Sequence, residues 1–143
     1  MMSLRLDRFF GSWQREFSPD YTAAETGMDR FIQFDKAEDF IGKATAELER
    51  ENPPARALVA FEVDAVDSDV VGYEPIWRGG DVVGFCTSGG YSHWLKKSIA
   101  FGLVPRDAMR DVATFEIEIL GQRRRALHLP SPLFDPEGER LRG

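Results

Sequence analysis

Apolar positions recur at two different periods along this chain, and the change of period divides it. Phe40, Ile41, Ala44 and Leu48 fall at helical spacing, which predicts a helix capped by Asp39 and running to about Glu51. Lys43 and Glu47 sit four apart on its exposed side. Thr22-Ala23-Ala24-Glu25 has the hydroxyl and carboxylate of a capping box, so a short helix starts there. Phe31-Ile32-Gln33-Phe34 reads as a brief strand. Asn52-Pro53-Pro54 then excludes a continuing helix and marks an extended connector.

Beyond the connector the period becomes two. Leu58, Ala60 and Val63 belong to a strand-like run, Ala57 to Ala65. Ile76-Trp77 and Val82-Val83 flank Gly79-Gly80, a pair suited to the positive φ angles of a tight hairpin. Gly84 to Gly90 reads as a turn and a glycine-rich bend, followed by a polar loop and a second strand, Ser98 to Val104, closed by Pro105. Thr114 to Ile119 alternates, placing Phe115, Ile117 and Ile119 on one face.

The last hairpin can be read in two registers. A three-residue Gly121-Gln122-Arg123 loop sets Ile117 opposite Leu127 and Phe115 opposite Leu129, with Glu116 facing His128 outside. A two-residue Gly121-Gln122 turn sets Ile119 opposite Arg124 and Phe115 opposite His128. A one-residue slip reverses faces, so burial favours the longer loop. The fold expected is α+β and mostly β: a small mixed N-terminal segment with one main helix over residues 1–52, then an antiparallel β-barrel over residues 57–143.

Composition narrows the function classes. The 143 residues fit one domain, 43% hydrophobic and 29% charged, as in a soluble globular protein. A formal net charge of -6 argues against sequence-independent nucleic-acid binding, which needs phosphate neutralisation by Lys and Arg. No apolar run approaches the roughly 20 residues of a membrane helix. The start lacks the apolar stretch of a signal peptide, and the doubled Met1-Met2 reads as an added start with the native chain beginning further upstream. With Cys86 the only cysteine, a reducing, cytoplasmic setting is expected.

Most candidate chemistry falls to a simpler reading. Gly84 to Gly90 has a phosphate-loop skeleton but lacks the Lys, the Ser or Thr and the helix that such a loop requires. Ser92-His93 has no placed acid to orient an imidazole. Two histidines and one cysteine give no metal-ligand spacing. Cys86 reads as a small buried hydrophobe. Arg123-Arg124-Arg125 reads as a solvated strand end balancing Glu116 and Glu118, the alternative being an anion site. Phe9, Phe10, Trp13, Phe17 and Tyr21 read as core, the alternative being one wall of a flat-ligand pocket. Composition and spacing yield no catalytic constellation.

A family resemblance goes further. The run Gly84 to Ala100 resembles the G-x-V-T-S-G-x-x-S-x-x-L-x-K-S-I-A block of the glycine-cleavage T-protein C-terminal barrel and of dimethylglycine and sarcosine dehydrogenase tails. Leu4-Arg5-Leu6-Asp7 resembles the family's L-R-L-E motif, with Asp7 where Glu is usual. Arg15 to Thr22 resembles R-E-L-T-P-D-Y-T. Glu25-Thr26-Gly27-Met28 is similar to E-A-G-L, and Asp39 to Lys43 to D-F-I-G-[RK]. The R-E-L-T-P-D-Y-T likeness and Gly89-Gly90-Tyr91-Ser92-His93 lean towards the dehydrogenase branch. The resemblance implies one-carbon transfer to tetrahydrofolate in a channel among three lobes, with a carboxylate of an N-terminal lobe hydrogen-bonding the pterin. That lobe, or a dehydrogenase portion, is the implied partner. Arg5 is the implied folate neighbour, with Trp13 second; Trp94 departs from the block. FAD belongs to the upstream dehydrogenase portion, so none is expected here. The isolated chain is expected to have little or no aminomethyltransferase activity. The alternatives are a non-catalytic folate-binding module and a structural or docking barrel.

Overall fold

Six antiparallel strands close on themselves in the computed structural model of the chain. They are β1 (Arg56–Val63), β2 (Pro75–Arg78), β3 (Asp81–Ser92), β4 (Lys97–Pro105), β5 (Phe115–Ile119) and β6 (Gln122–Leu129). Around the barrel they run β1-β4-β3-β2-β5-β6, and β6 pairs back onto β1. The structure describes residues 2–109 and 114–143, so Met1 of the doubled start lies outside it. The mostly-β, antiparallel barrel expected from the period-two half is what forms.

The interior is built by alternation. Phe61, Ile76, Phe115, Ile117 and Ala126 point inward and are at most 1% exposed. The Phe61 and Phe115 rings meet edge to face at 5.2 Å. Burying each such large side chain stabilises the fold by about 1.5–3 kcal/mol. A second core lies on the barrel's outer face, where Leu6 joins Ala60, Ile99 and Phe101, and Leu58, Leu129 and Phe9 pack against it.

That outer core exists because the N-terminal segment lies over it. Among the described residues the segment carries three helices rather than one main helix: α1 (Met2–Asp7), α2 (Ala23–Thr26) and α3 (Lys43–Glu51). The capping box at α2 forms as read, with Thr22 Oγ1 accepting from the Glu25 N–H and Glu25 accepting from the Thr22 N–H.

Several local readings are corrected. The 31–34 stretch is not a strand: Asp29–Phe31 is a short 3-10 helix, and the closed barrel leaves no free edge there to pair with. α3 begins at Lys43, after Gly42 at φ 91, because the Asp39 carboxylate is used locally by the Phe40 N–H at 2.9 Å. Its apolar stripe is uncovered, with Leu48 59% exposed. Gly84 to Gly90 is continuous strand rather than bend, irregular only between Cys86 and Ser88. Its glycines serve strand contact: a Cβ at Gly84 would lie 2.0 Å from the Leu103 carbonyl oxygen.

Neither register considered for the last hairpin forms. Leu120 and Gly121, at φ 50 and 78, make the turn, as a tight two-residue hairpin requires. Ile117 then opposes Arg124, Phe115 opposes Ala126, and Glu116 opposes Arg125. Leu127 and Leu129 do not lie inside the barrel, and Leu127 is 44% exposed. Leu129 instead packs on the outer core, and Arg124 is satisfied by Asp67 at 2.8 Å.

Candidate functional site

The N-terminal segment is fastened to the barrel by charge as well as by apolar contact. Glu16 is 0% exposed, and its carboxylate accepts hydrogen bonds from the Ser12 N–H at 2.6 Å and the Ser88 hydroxyl at 2.5 Å. Arg5, on α1, lies 3.5 Å from the same carboxylate. Burial alone would push the Glu16 carboxyl up. The Ser12 N–H, the Ser88 hydroxyl and the Arg5 charge outweigh burial and hold it below the usual range. Glu16 is therefore an ionised anchor rather than a proton donor. Arg15 adds a second tie, donating to the carbonyls of Val71 at 2.6 Å and Thr87 at 3.0 Å.

Arg5 sits in an unusual state. Its Nη1 donates to the Phe10 carbonyl at 3.1 Å and its guanidinium lies over the Phe101 ring, 5.7 Å from the centroid. Its Nε and Nη2 are buried with no hydrogen-bond partner. Those two nitrogens form one edge of the planar fork, the edge that matches a pair of oxygens. Trp13, the other residue the motifs singled out, is 82% exposed. The two share the same segment, but one is buried beneath it and the other stands in solvent.

The aromatic cluster read as core is core only in part, since Phe9 packs against the outer core while its neighbours do not. Phe10 is 46% exposed, and Phe9 and Phe17 are only partly buried. Phe9, Phe10 and Phe17 instead line a cleft of about 480 Å³ between the N-terminal segment and the outer face of the barrel. Phe101, edge to face with Phe9 at 5.8 Å, belongs to the opposite wall with Leu58. Arg30 and His128 also line the cleft. Burial pushes the His128 imidazole down from its ordinary value, so at neutral pH it is an uncharged hydrogen-bonding group.

Cys86 is fully buried, and burial, aided by the Glu74 charge, pushes its thiol far up, which leaves it inert as a nucleophile at neutral pH. Ser92 accepts the Leu95 N–H at 3.0 Å and shapes the turn into β4. Within the Gly84–Ala100 block, Lys97 pairs with Glu62 at 2.7 Å, and Trp94 stacks edge to face on Phe134 at 5.0 Å. Arg123 lies 3.6 Å above the Trp77 ring and Arg124 reaches Asp67, in keeping with a balanced strand end. Glu16, Arg30 and His128 escaped the sequence reading. Nothing local marks Glu16 as buried, because its partner Ser88 is 72 positions away.

Among the described residues no three His, Cys, Asp or Glu side chains converge to hold a metal ion, and no helix is long and apolar enough to cross a membrane.

Comparison with known proteins fits this architecture. Residues 56–135 match the glycine cleavage T-protein C-terminal barrel domain. Human mitochondrial dimethylglycine dehydrogenase is 36% identical over 142 residues, which cover 99% of this chain and 16% of that protein. The aminomethyltransferase of Desulfitobacterium hafniense (strain DSM 10664 / DCB-2) is 30% identical over 137 residues, covering 95% of this chain and 37% of that protein. The crystal structure of glycine cleavage system aminomethyltransferase T from Bartonella henselae superposes with a TM-score of 0.81 at 21% identity, over 94% of this chain and 38% of that one. The chain therefore spans well under half the length of the relatives it matches.

Proposed function

Because this chain belongs to the glycine cleavage T-protein family, carrying its C-terminal barrel and the segment that leads into it, we propose that it forms the barrel side of a tetrahydrofolate-dependent one-carbon transfer site. Arg5 is the observation that carries the reading. Its Nε and Nη2 are buried and unpartnered while Glu16 and the Phe10 carbonyl fix the rest of the guanidinium. A buried donor pair left open costs free energy unless a ligand oxygen completes it. Folate carries such oxygens, and the exposed Trp13 offers an aromatic face on the same segment. When bound, folate would supply the nitrogen that accepts the one-carbon unit and Arg5 would orient it; FAD is not assigned to this chain.

On this reading the chain binds folate but does not turn over alone, because a barrel cannot by itself hold donor and acceptor in reacting geometry. An N-terminal folate lobe, or a dehydrogenase portion, completes the site. Calorimetric titration with tetrahydrofolate, followed by incubation with dimethylglycine oxidation products or a dihydrolipoyl-linked donor, tests both halves. Saturable binding that Arg5→Lys weakens, without turnover, is expected. Clear turnover by the chain alone refutes the second half, and absence of binding refutes the first.

A second reading, a docking barrel, draws on a different feature. Leu4, Trp13, Phe31, Ile41 and Leu48 are all more than half exposed, and all five lie in the N-terminal segment. Capture of a separately produced N-terminal lobe, in the absence of folate binding, would favour it.

A further inference from the structure

A cleft separates the N-terminal segment from the outer face of the barrel. Its volume, about 480 Å³, lies within the range of roughly 300–1,000 Å³ typical of small-molecule clefts. The walls bring together Phe9, Phe17, Phe101 and Leu58. Two backbone features hold the near wall in place. Phe9 adopts φ 56, a conformation L residues seldom take, and Gly11 approaches the Phe17 ring so closely that a Cβ there would lie 2.6 Å from it.

Charge defines what fits. Among the described residues, Arg30 is the one charged residue that lines the cleft. Its guanidinium lies 4.9 Å from the Phe31 ring centroid, and no carboxylate pairs with it among the described residues. In a chain of net charge -6, an apolar cleft that presents a single cation and no carboxylate is selective by sign. His128, uncharged, adds a hydrogen-bonding group without adding a second charge.

We propose that this cleft binds a flat aromatic molecule bearing one acidic group, its rings between Phe9, Phe17 and Phe101 and its acid on Arg30. The site does not depend on the folate reading, since neither Arg5 nor Trp13 is among its lining residues.

Fluorescence titration of the full chain with 1-anilinonaphthalene-8-sulfonate, an aromatic monoanion, tests it against uncharged N-phenyl-1-naphthylamine. One saturable site is expected for the anion. Arg30→Gln, at an exposed position, should weaken the anion by about tenfold, the loss of one charge-assisted hydrogen bond, and leave the uncharged probe unchanged. Val66→Ala, at an exposed position outside the cleft, should alter neither. Near-ultraviolet circular dichroism confirms that each variant keeps its packing. Binding of several anion equivalents without saturation overturns the proposal. Equal affinity for both probes, insensitive to Arg30→Gln, also overturns it, and points instead to an apolar contact surface for another polypeptide.

Discussion

The Ser88 hydroxyl donates to the Glu16 carboxylate at 2.5 Å, joining a loop of the N-terminal segment to the middle of β3. This contact, with the Ser12 N–H and Arg5 on the same carboxylate, is the polar counterpart of the outer core. Removing the carboxylate leaves Arg5 as a buried charge without its counter-ion. Glu16→Ala is therefore expected to destabilise the chain by about 3–5 kcal/mol, read as a fall in the urea midpoint at pH 7. Glu16→Gln, which keeps an acceptor for the Ser12 N–H, should cost less. Equal midpoints for wild type and Glu16→Ala would show that the anchor contributes nothing.

Acid should loosen the fold in two windows, both of the same sign. Burial lowers the His128 pKa in the folded chain, so below the ordinary 6.5 the unfolded chain binds more protons. That contribution is present above 6.5 and is lost as pH falls through the folded value. For Glu16 and Glu25, burial pushes upward but hydrogen bonds and nearby arginines prevail, and both lie below the ordinary 4.5. Their contribution is present above 4.5 and is lost as pH falls through the lowered folded values. Urea midpoints measured from pH 7.5 to 3 should decline in both ranges. His128→Gln should flatten only the upper one and Glu16→Gln only part of the lower.

β3 runs close enough to β4 that one methyl group is too much. A Cβ at Gly84 would meet the Leu103 carbonyl oxygen at 2.0 Å, and backbone within a closed barrel cannot withdraw. At Gly80, in the hairpin, an added Cβ meets nothing within 4 Å. Gly84→Ala is expected to abolish folding or to cost at least about 3 kcal/mol, as overpacking at its upper end does. Gly80→Ala should shift the melting midpoint by a degree or two at most. The reverse order would mean that β3 does not pair with β4 as described.

Cys86 offers an independent probe of barrel closure. Buried completely and with its thiol pushed up, it should resist 5,5′-dithiobis(2-nitrobenzoate) in the native chain. One equivalent should react once urea unfolds it, at a rate set by opening of the barrel. Immediate reaction in native buffer would contradict the packing of Ile76 and Ala100 around it.

What could be read from the sequence was what neighbouring residues decide. Thr22 and Glu25 close their box within one turn, Gly79-Gly80 sets a hairpin, and Phe115, Ile117 and Ile119 alternate on one buried face. What could not be read depended on distant chain. Leu129 faces outward because residues near position 6 cover it, so the β5–β6 register was chosen on the wrong face. Glu16 is buried only because Ser88 and Arg5 surround it. Phe9 and Phe17 line a cleft because the segment that carries them leaves a gap above Leu58 and Phe101. The motif residues themselves, Arg5 and Trp13, came from family likeness, and no periodicity would have chosen them.

The apolar stripe that leads into α3 separates helix periodicity from burial most directly. Ile41 and Leu48 have the spacing of a core-facing pair, yet Ile41 is fully exposed at 105%, Leu48 is 59% exposed, and no residue of α3 is buried. Were the stripe core, Ile41→Lys with Leu48→Lys would cost several kcal/mol, as a Leu→Ala truncation in a core costs about 2–5 kcal/mol. Since both side chains already meet solvent, the double variant should change stability by no more than about 0.5 kcal/mol per site. Ile117→Ala, inside the barrel at 0% exposure, serves as the contrast and should cost the core penalty. Urea melts of the three proteins side by side decide the matter, and a large loss in the double variant would place that stripe against a surface of the same chain.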